Sequence, residues 1–218
     1  MSPDQKDVPV IVAIDGPAGA GKSTVGRAVA ERLGLEYLDT GAMYRAVTFA
    51  ALRRGIDPTD EADVAALAGT VQMTIEASAV SVDGVDATVE IRGREVTAAV
   101  SAVASNRQVR SELVRRQREW VDEHAGGVVE GRDIGSVVFP DATLKLFVTA
   151  SPHVRAQRRV AELGGDVAEV EASIIERDRK DSTRNESPLT ETDDAVVVDT
   201  TGMSIEDVVG HILGLMPA

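Results

Sequence analysis

Residues 8–15 read VPVIVAID, an almost unbroken apolar and β-branched run that predicts a parallel strand covered on both faces. A glycine-rich turn over 16–23 leads into an amphipathic helix predicted over 22–33, which Gly34 stops as a C-cap. Residues 37–39 predict a short strand. Thr40 is expected to cap a helix over 41–54, stopped by Gly55, and a further short helix is predicted over 60–69. The pattern then changes to period-two alternation over 71–76, 79–83 and 86–91, with Asp83-Gly84 as a two-residue hairpin turn between the last two. A small antiparallel sheet is therefore expected inside an α/β chain. Helical spacing resumes over 94–104 and 106–124. Strands are predicted at 127–130 (GVVE) and 144–149 (LKLFVT), polar arginine-rich helices at 154–163 and 167–181, and a last buried strand at 194–199 (DAVVVD). Ser204, with Asp207 three residues on, opens the final helix. Five parallel-type strands alternating with helices predict a doubly wound α/β fold, helices on both faces of the sheet.

Composition narrows the chemistry. The chain of 218 residues has no cysteine, which excludes disulfides, thiol nucleophiles and cysteine-built zinc sites. His124, His153 and His211 lie far apart in sequence, against a histidine metal cluster. No apolar run reaches the roughly 18 residues of a membrane span, and the first seven residues lack a signal-peptide pattern, so a cytoplasmic location is expected. A net charge of −13 and only six aromatics argue against nucleic-acid polymers and anionic membranes as partners, and weakly favour a monomer. Nineteen of the 23 basic residues are arginine, the side chain suited to bidentate capture of phosphate. Only position gives that excess a meaning.

Position does so first at Gly16-Pro17-Ala18-Gly19-Ala20-Gly21-Lys22-Ser23, followed by Thr24, which fits G-x-x-x-x-G-K-[ST] without exception. Glycines let successive backbone N–H groups turn inward around a phosphate, and the helix N-terminus adds partial positive charge. Lys22 reaches the β- and γ-phosphates, and the Ser23 hydroxyl is a ligand for Mg²⁺. Asp15 and Pro17 are expected to shape the loop. The chain therefore binds a nucleoside triphosphate. It lacks the N-K-x-D guanine reader of GTPases, since its only asparagines, Asn106 and Asn185, precede Arg and Glu, and it lacks L-S-G-G-Q. A kinase of small molecules remains. A phosphate acceptor needs cations converging from several elements. Candidates are Arg45, Arg132 at the end of a strand, Arg177 and Arg184. Arg115, Arg116 and Arg118 are expected to form a solvated or salt-bridged helix face, and Trp120 to be packing.

The segments IDGPAGAGKST (14–24), LDTGAMYR (38–45), EIRGREV (90–96), VR-x-x-LVRRQR (109–118), GRDIGSVVFPDA (131–142), R-x-x-RR (155–159) and ERDRKDSTR (176–184) before Pro188-Leu189 resemble the bacterial cytidylate kinases. The resemblance runs through nearly the whole chain in order. It implies one nucleoside monophosphate kinase domain over 1–218, with a monophosphate-binding insert at about 66–105 and a helical lid at about 155–188. It implies that Thr40, Arg45, Arg132 and Arg184 hold the acceptor phosphate. It also implies that Ser101, Arg110 and Asp133 read the cytosine ring, that Arg177 and Asp181 face the acceptor ribose, and that Arg155, Arg158 and Arg159 close over the donor phosphates. Lys22, Arg132, Arg158 and Arg184 are the expected catalytic residues. The chain departs from common members at Thr40, at Gly93-Arg94 and over 185–187. Tyr44 is a candidate base-stacking side chain that its context leaves open. The expected reaction is Mg²⁺-dependent transfer from ATP to CMP or dCMP. A kinase for UMP, AMP or shikimate, and a regulatory module that holds ATP without turnover, are the competing expectations.

Overall fold

The computed structural model describes residues 9–183 and 187–217, the side chain of Leu163 excepted. Five parallel strands form its main sheet: β1 Val10–Asp15, β2 Tyr37–Asp39, β6 Gly126–Glu130, β7 Leu144–Thr149 and β8 Val196–Asp199. Their order across the sheet is β2-β6-β1-β7-β8. The central position of β1 explains its sequence. Val12 and Ile14 point into one core, with α1 (Lys22–Leu33) and α8 (Ile205–Gly214). Ala13 points into the other, with α2 (Thr40–Arg53), α3 (Glu61–Thr70), α4 (Arg94–Ser105) and α5 (Arg107–Glu123). All three side chains are fully buried, as a strand covered on both faces requires. The last strand differs from expectation. At the sheet edge β8 buries Val198 but leaves Val197 45% exposed.

Helix α1 begins and ends where the sequence predicts. Gly21 (φ 89°) precedes it. Gly34 (φ 66°) closes it in the left-handed conformation, with its N–H directed at the Ala30 and Glu31 carbonyls. Helix α2 starts one residue earlier than expected. Asp39, not Thr40, is the cap, its carboxylate accepting from the Ala42 N–H at 3.0 Å.

Strands β3 (Met73–Ile75), β4 (Val80–Val82) and β5 (Val85–Asp86) form the separate antiparallel sheet. Asp83 and Gly84, both at positive φ, make the two-residue turn that pairs Val82 with Val85. The third strand is only two residues long, not six. The Asp86 carboxylate turns back to the Thr88 N–H and hydroxyl, and Glu90–Arg92 closes into a 3₁₀ turn. Local side-chain hydrogen bonds there outcompete the ladder. A π-type turn over Ile134–Val138 follows β6 and has no signature in the hydrophobic pattern. Helices α6 (Pro152–Leu163) and α7 (Val167–Thr183) pack on one another beyond the carboxyl end of the sheet.

Candidate active site

The phosphate loop leaves β1 at Gly16. Its φ is 141°, and a Cβ there would come within 2.0 Å of the Val148 carbonyl oxygen, so only glycine fits. Lys22 is buried and donates to the Pro17 carbonyl at 3.0 Å. Ser23 Oγ donates to Glu130 Oε1 at 2.8 Å. Burial pushes the Lys22 ammonium well below its ordinary value, the nearby Arg132 adding to the effect, and burial pushes the Glu130 carboxyl up, helped by the charge of Asp39. Arg158 donates to the Ala20 carbonyl at 3.3 Å and to Thr200 O and Oγ1, so it lies against the loop; Arg159 lines the same cleft of about 980 Å³. Arg155 is buried. Its guanidinium donates to the Ala18 carbonyl at 3.1 Å and pairs with Asp178 of α7 at 2.6 Å, tying both helices to the loop.

A second, narrower pocket lies at the carboxyl ends of β2 and β6. Thr40, Tyr44, Arg45, Ser101, Arg110, Arg132, Asp133, Arg177 and Asp181, all named from sequence, line it together. They come from α2, α4, α5, the loop after β6 and α7, which no contiguous motif reveals. Arg184 lies outside the described residues. Thr40 Oγ1 donates to the Glu130 carbonyl at 2.7 Å, so its proton is held by the strand end. Arg132 donates through Nε to Asp181 at 3.0 Å and through Nη1 to the Gly16 carbonyl at 2.9 Å, which joins the pocket to the phosphate loop. Arg110 and Asp133, both buried, form a direct ion pair, and the Arg110 guanidinium lies 5.7 Å over the Tyr44 ring. Removing one partner of such a pair strands the other charge, at a cost of about 3–5 kcal/mol.

The cations in and around this pocket repel each other. Burial lowers Arg45 to about 10, and Arg177, Arg92 and Arg159 add to the effect. Arg177 is lowered by burial and then by Arg132, and its Nε is buried with no acceptor among the described residues. Arg110 and Arg132 are paired with Asp133 and Asp181, whereas Arg45 donates only to the neutral Ile91 carbonyl and Thr97 hydroxyl, so Arg45 and Arg177 are the cations of this pocket best prepared for an anion.

The cytidylate kinase family profile matches residues 12–218. The chain belongs to the cytidylate kinase family. It is similar to the cytidylate kinase of Streptomyces avermitilis, at 47% identity covering 95% of this chain and 92% of that one. It is similar to that of Mycolicibacterium paratuberculosis, at 50% identity covering 95% of each. It also matches a bifunctional pantoate ligase/cytidylate kinase of Prochlorococcus marinus at 50% identity, covering 94% of this chain but spanning only 44% of that protein's length. In fold it is similar to a crystal structure of an uncharacterised protein from Eubacterium ventriosum, at TM-score 0.56 and 12% identity, covering 94% and 96% of the two chains. A sugar kinase from Janibacter sp. matches at TM-score 0.50 and 17% identity, covering 94% and 93%.

As a kinase of this family the chain uses ATP as phosphoryl donor. Three site residues escape sequence reasoning. Asp39 lines both the loop cleft and the second pocket, and its Oδ2 accepts from Arg92 at 3.1 Å. Glu130 closes the strand GVVE, and an acid ending an apolar run is the one readable signal. Arg92 sits in EIRGREV, between the strand predicted over 86–91 and the helix predicted from 94. The donor set near the loop is all oxygen: the Ser23 hydroxyl and the Glu130 and Asp39 carboxylates. Among the described residues no three acidic or imidazole side chains gather as a protein-built metal cage. That oxygen donor set fits Mg²⁺, a hard cation usually held by one or two carboxylates plus substrate phosphates. The arginines 115, 116 and 118 are occupied as expected. Arg115 and Arg116 pair with Glu112, Arg116 also donates to the Ala68 and Val71 carbonyls, and Arg118 donates to those of Val137 and Val138. No helix of the described residues is long and apolar enough to cross a membrane.

Proposed function

We propose that the chain transfers the γ-phosphoryl group of ATP to CMP or dCMP, giving ADP and CDP or dCDP for pyrimidine nucleotide metabolism. The observation that carries the reading is the pair of adjoining pockets, one along the phosphate loop and one lined by Arg45, Arg110, Arg132 and Arg177, that meet at Asp39. A protein that only senses ATP has no use for the second one.

In this reading the backbone of Gly16 to Thr24 cradles the donor phosphates, and Lys22 leaves the Pro17 carbonyl for the β- and γ-oxygens. Mg²⁺, when bound through Ser23 with Glu130 and Asp39 behind it, neutralises charge on the phosphates. Arg158 and Arg159 face the donor phosphates. Arg155, held by Ala18 and Asp178, fixes the helices that carry them. Arg45 and Arg132, with Arg184, hold the acceptor phosphate, while Arg177 and Asp181 face its ribose. The nucleophile is already an anionic phosphate oxygen, so no general base is assigned. Asp133 accepts from the exocyclic amine of cytosine, where uracil presents a carbonyl, and Arg110 and Ser101 complete the ring contacts. Residues 1–218 form one kinase domain, with 66–105 as the monophosphate-binding insert and 155–188 as the lid that excludes water on closure. The reading places a monomer in the cytoplasm with its small-molecule substrates.

The test is incubation with ATP, Mg²⁺ and CMP, dCMP, UMP, AMP or GMP separately, with products resolved by chromatography. CDP and dCDP well ahead of the others support the reading. Another diphosphate in the lead keeps the kinase and overturns the base assignment. ATP bound without turnover overturns both.

A further inference from the structure

One buried carboxylate touches neither nucleotide site directly yet joins them. Asp15 closes β1 immediately before the phosphate loop and is 6% exposed. Its Oδ1 accepts from the Ile134 N–H at 2.8 Å and its Oδ2 from the Gly135 N–H at 2.7 Å. These are the first two amides after Asp133, the opening of the π-type turn. Asp133 itself has no helical backbone (φ −145°, ψ 27°), and its carbonyl accepts from the Val137 and Val138 N–H groups. The same strand end makes two more ties across the gap, Gly131 N–H to the Ile14 carbonyl and Arg132 Nη1 to the Gly16 carbonyl, both at 2.9 Å. Three consecutive residues, 14 to 16, thus hold the loop 131–135 in register. Asp15 is the only one of them that does so with a side chain.

We infer that Asp15 is a positioning residue for acceptor specificity: its carboxylate holds the two amides that follow Asp133 and so sets where the base-reading carboxylate stands relative to the phosphate loop. The inference rests on the proposed reading of Asp133. The cost of the arrangement is visible in Asp15 itself. Burial raises its carboxyl to about 6, above what the two amides take back, and the neighbouring Asp133 charge pushes the same way against Lys22. A residue needed only to fill space between β1 and the turn would be apolar. An isosteric amide keeps the volume but sets an NH₂ donor against one of the two N–H donors, which leaves a buried donor unpaired.

The experiment measures kcat/KM for CMP and for UMP, and KM for ATP, in Asp15→Asn, Gly135→Ala and Asp133→Ala beside the parent enzyme. Gly135→Ala is the gentler probe. It crowds the turn beside that contact, where a Cβ would press on the flexible Lys145 chain at 3.2 Å and stand in ordinary contact with Asp15 Oδ2 at 3.4 Å. It decides the matter if Asp15→Asn does not fold. The inference expects the CMP-over-UMP ratio to fall about ten- to a hundredfold in Asp15→Asn, and in the same direction by less in Gly135→Ala, with KM for ATP changed less than about threefold. A ratio unchanged in every folded one of these two variants, while Asp133→Ala abolishes it, overturns the role of Asp15 alone. A ratio unchanged in Asp133→Ala overturns the base reading and this inference with it. A parallel loss of ATP affinity at constant ratio makes Asp15 a structural support of the phosphate loop only, and overturns the inference too.

Discussion

In the proposed reading the donor side and the acceptor side of this enzyme are built on opposite plans. The phosphate loop is nine consecutive residues whose main chain would do most of the binding, and one strand and one helix suffice to present it. The acceptor pocket is nearly all side chain and draws on four helices and a loop. A backbone site is local, so one substitution in it removes a function outright. A convergent site shares its load, and in it Arg177 presses on Arg45 and Arg132 on Arg177.

That contrast can be broken by mutation. Lys22→Ala removes the cation carried by the phosphate loop itself, and kcat is expected to fall about 10³-fold or more in a steady-state coupled assay. Arg177→Ala removes one of several acceptor-side cations and relieves repulsion on Arg45 and Arg132. The expected loss is about ten- to a hundredfold, seen mainly as a higher KM for CMP with KM for ATP little changed. Equal losses from the two substitutions, in the same parameter, would erase the distinction.

A smaller effect sharpens it. Lys22 is lowered to about 7 in the free protein because burial removes its hydration, while its hydrogen-bond partner is the neutral Pro17 carbonyl. Donor phosphates supply an anion and restore the ammonium. Binding of Mg²⁺-free ATP at pH 8 is expected to take up nearly one proton, and at pH 6 very little. Calorimetry in buffers of different ionisation enthalpy reads the number directly. The linked stability term has a definite sign. A depressed lysine leaves the unfolded chain binding more protons, so its penalty on the free fold is full below about pH 7 and fades as the pH rises toward 10.5.

The same division decides what can be read from the sequence. The loop, its helix and the left-handed Gly34 that ends it are legible because each is a local backbone signal. The Asp83-Gly84 hairpin is legible for the same reason. The short β5 is not, because the Asp86–Thr88 side-chain turn competes with a ladder that the β-branched Thr88, Val89 and Ile91 otherwise favour. The roles of the acceptor-pocket arginines follow only from the family resemblance, and those of Asp39, Glu130 and Arg92 not even then. Their importance lies in which residues stand across from them, and sequence spacing carries no trace of that. Asp15 is legible as a shaping residue, but its two amide partners lie about 120 residues away.

The central claim is that the acceptor pocket reads cytosine through the buried Asp133. Its most direct test is the ratio of kcat/KM for CMP to that for UMP, measured for the parent enzyme and for Asp133→Ala under identical ATP and Mg²⁺. The account predicts a large preference for CMP that collapses in the variant, up to about 10⁴-fold, because the parent site leaves a buried acceptor facing the uracil carbonyl. A preference that survives the loss of Asp133 would contradict it.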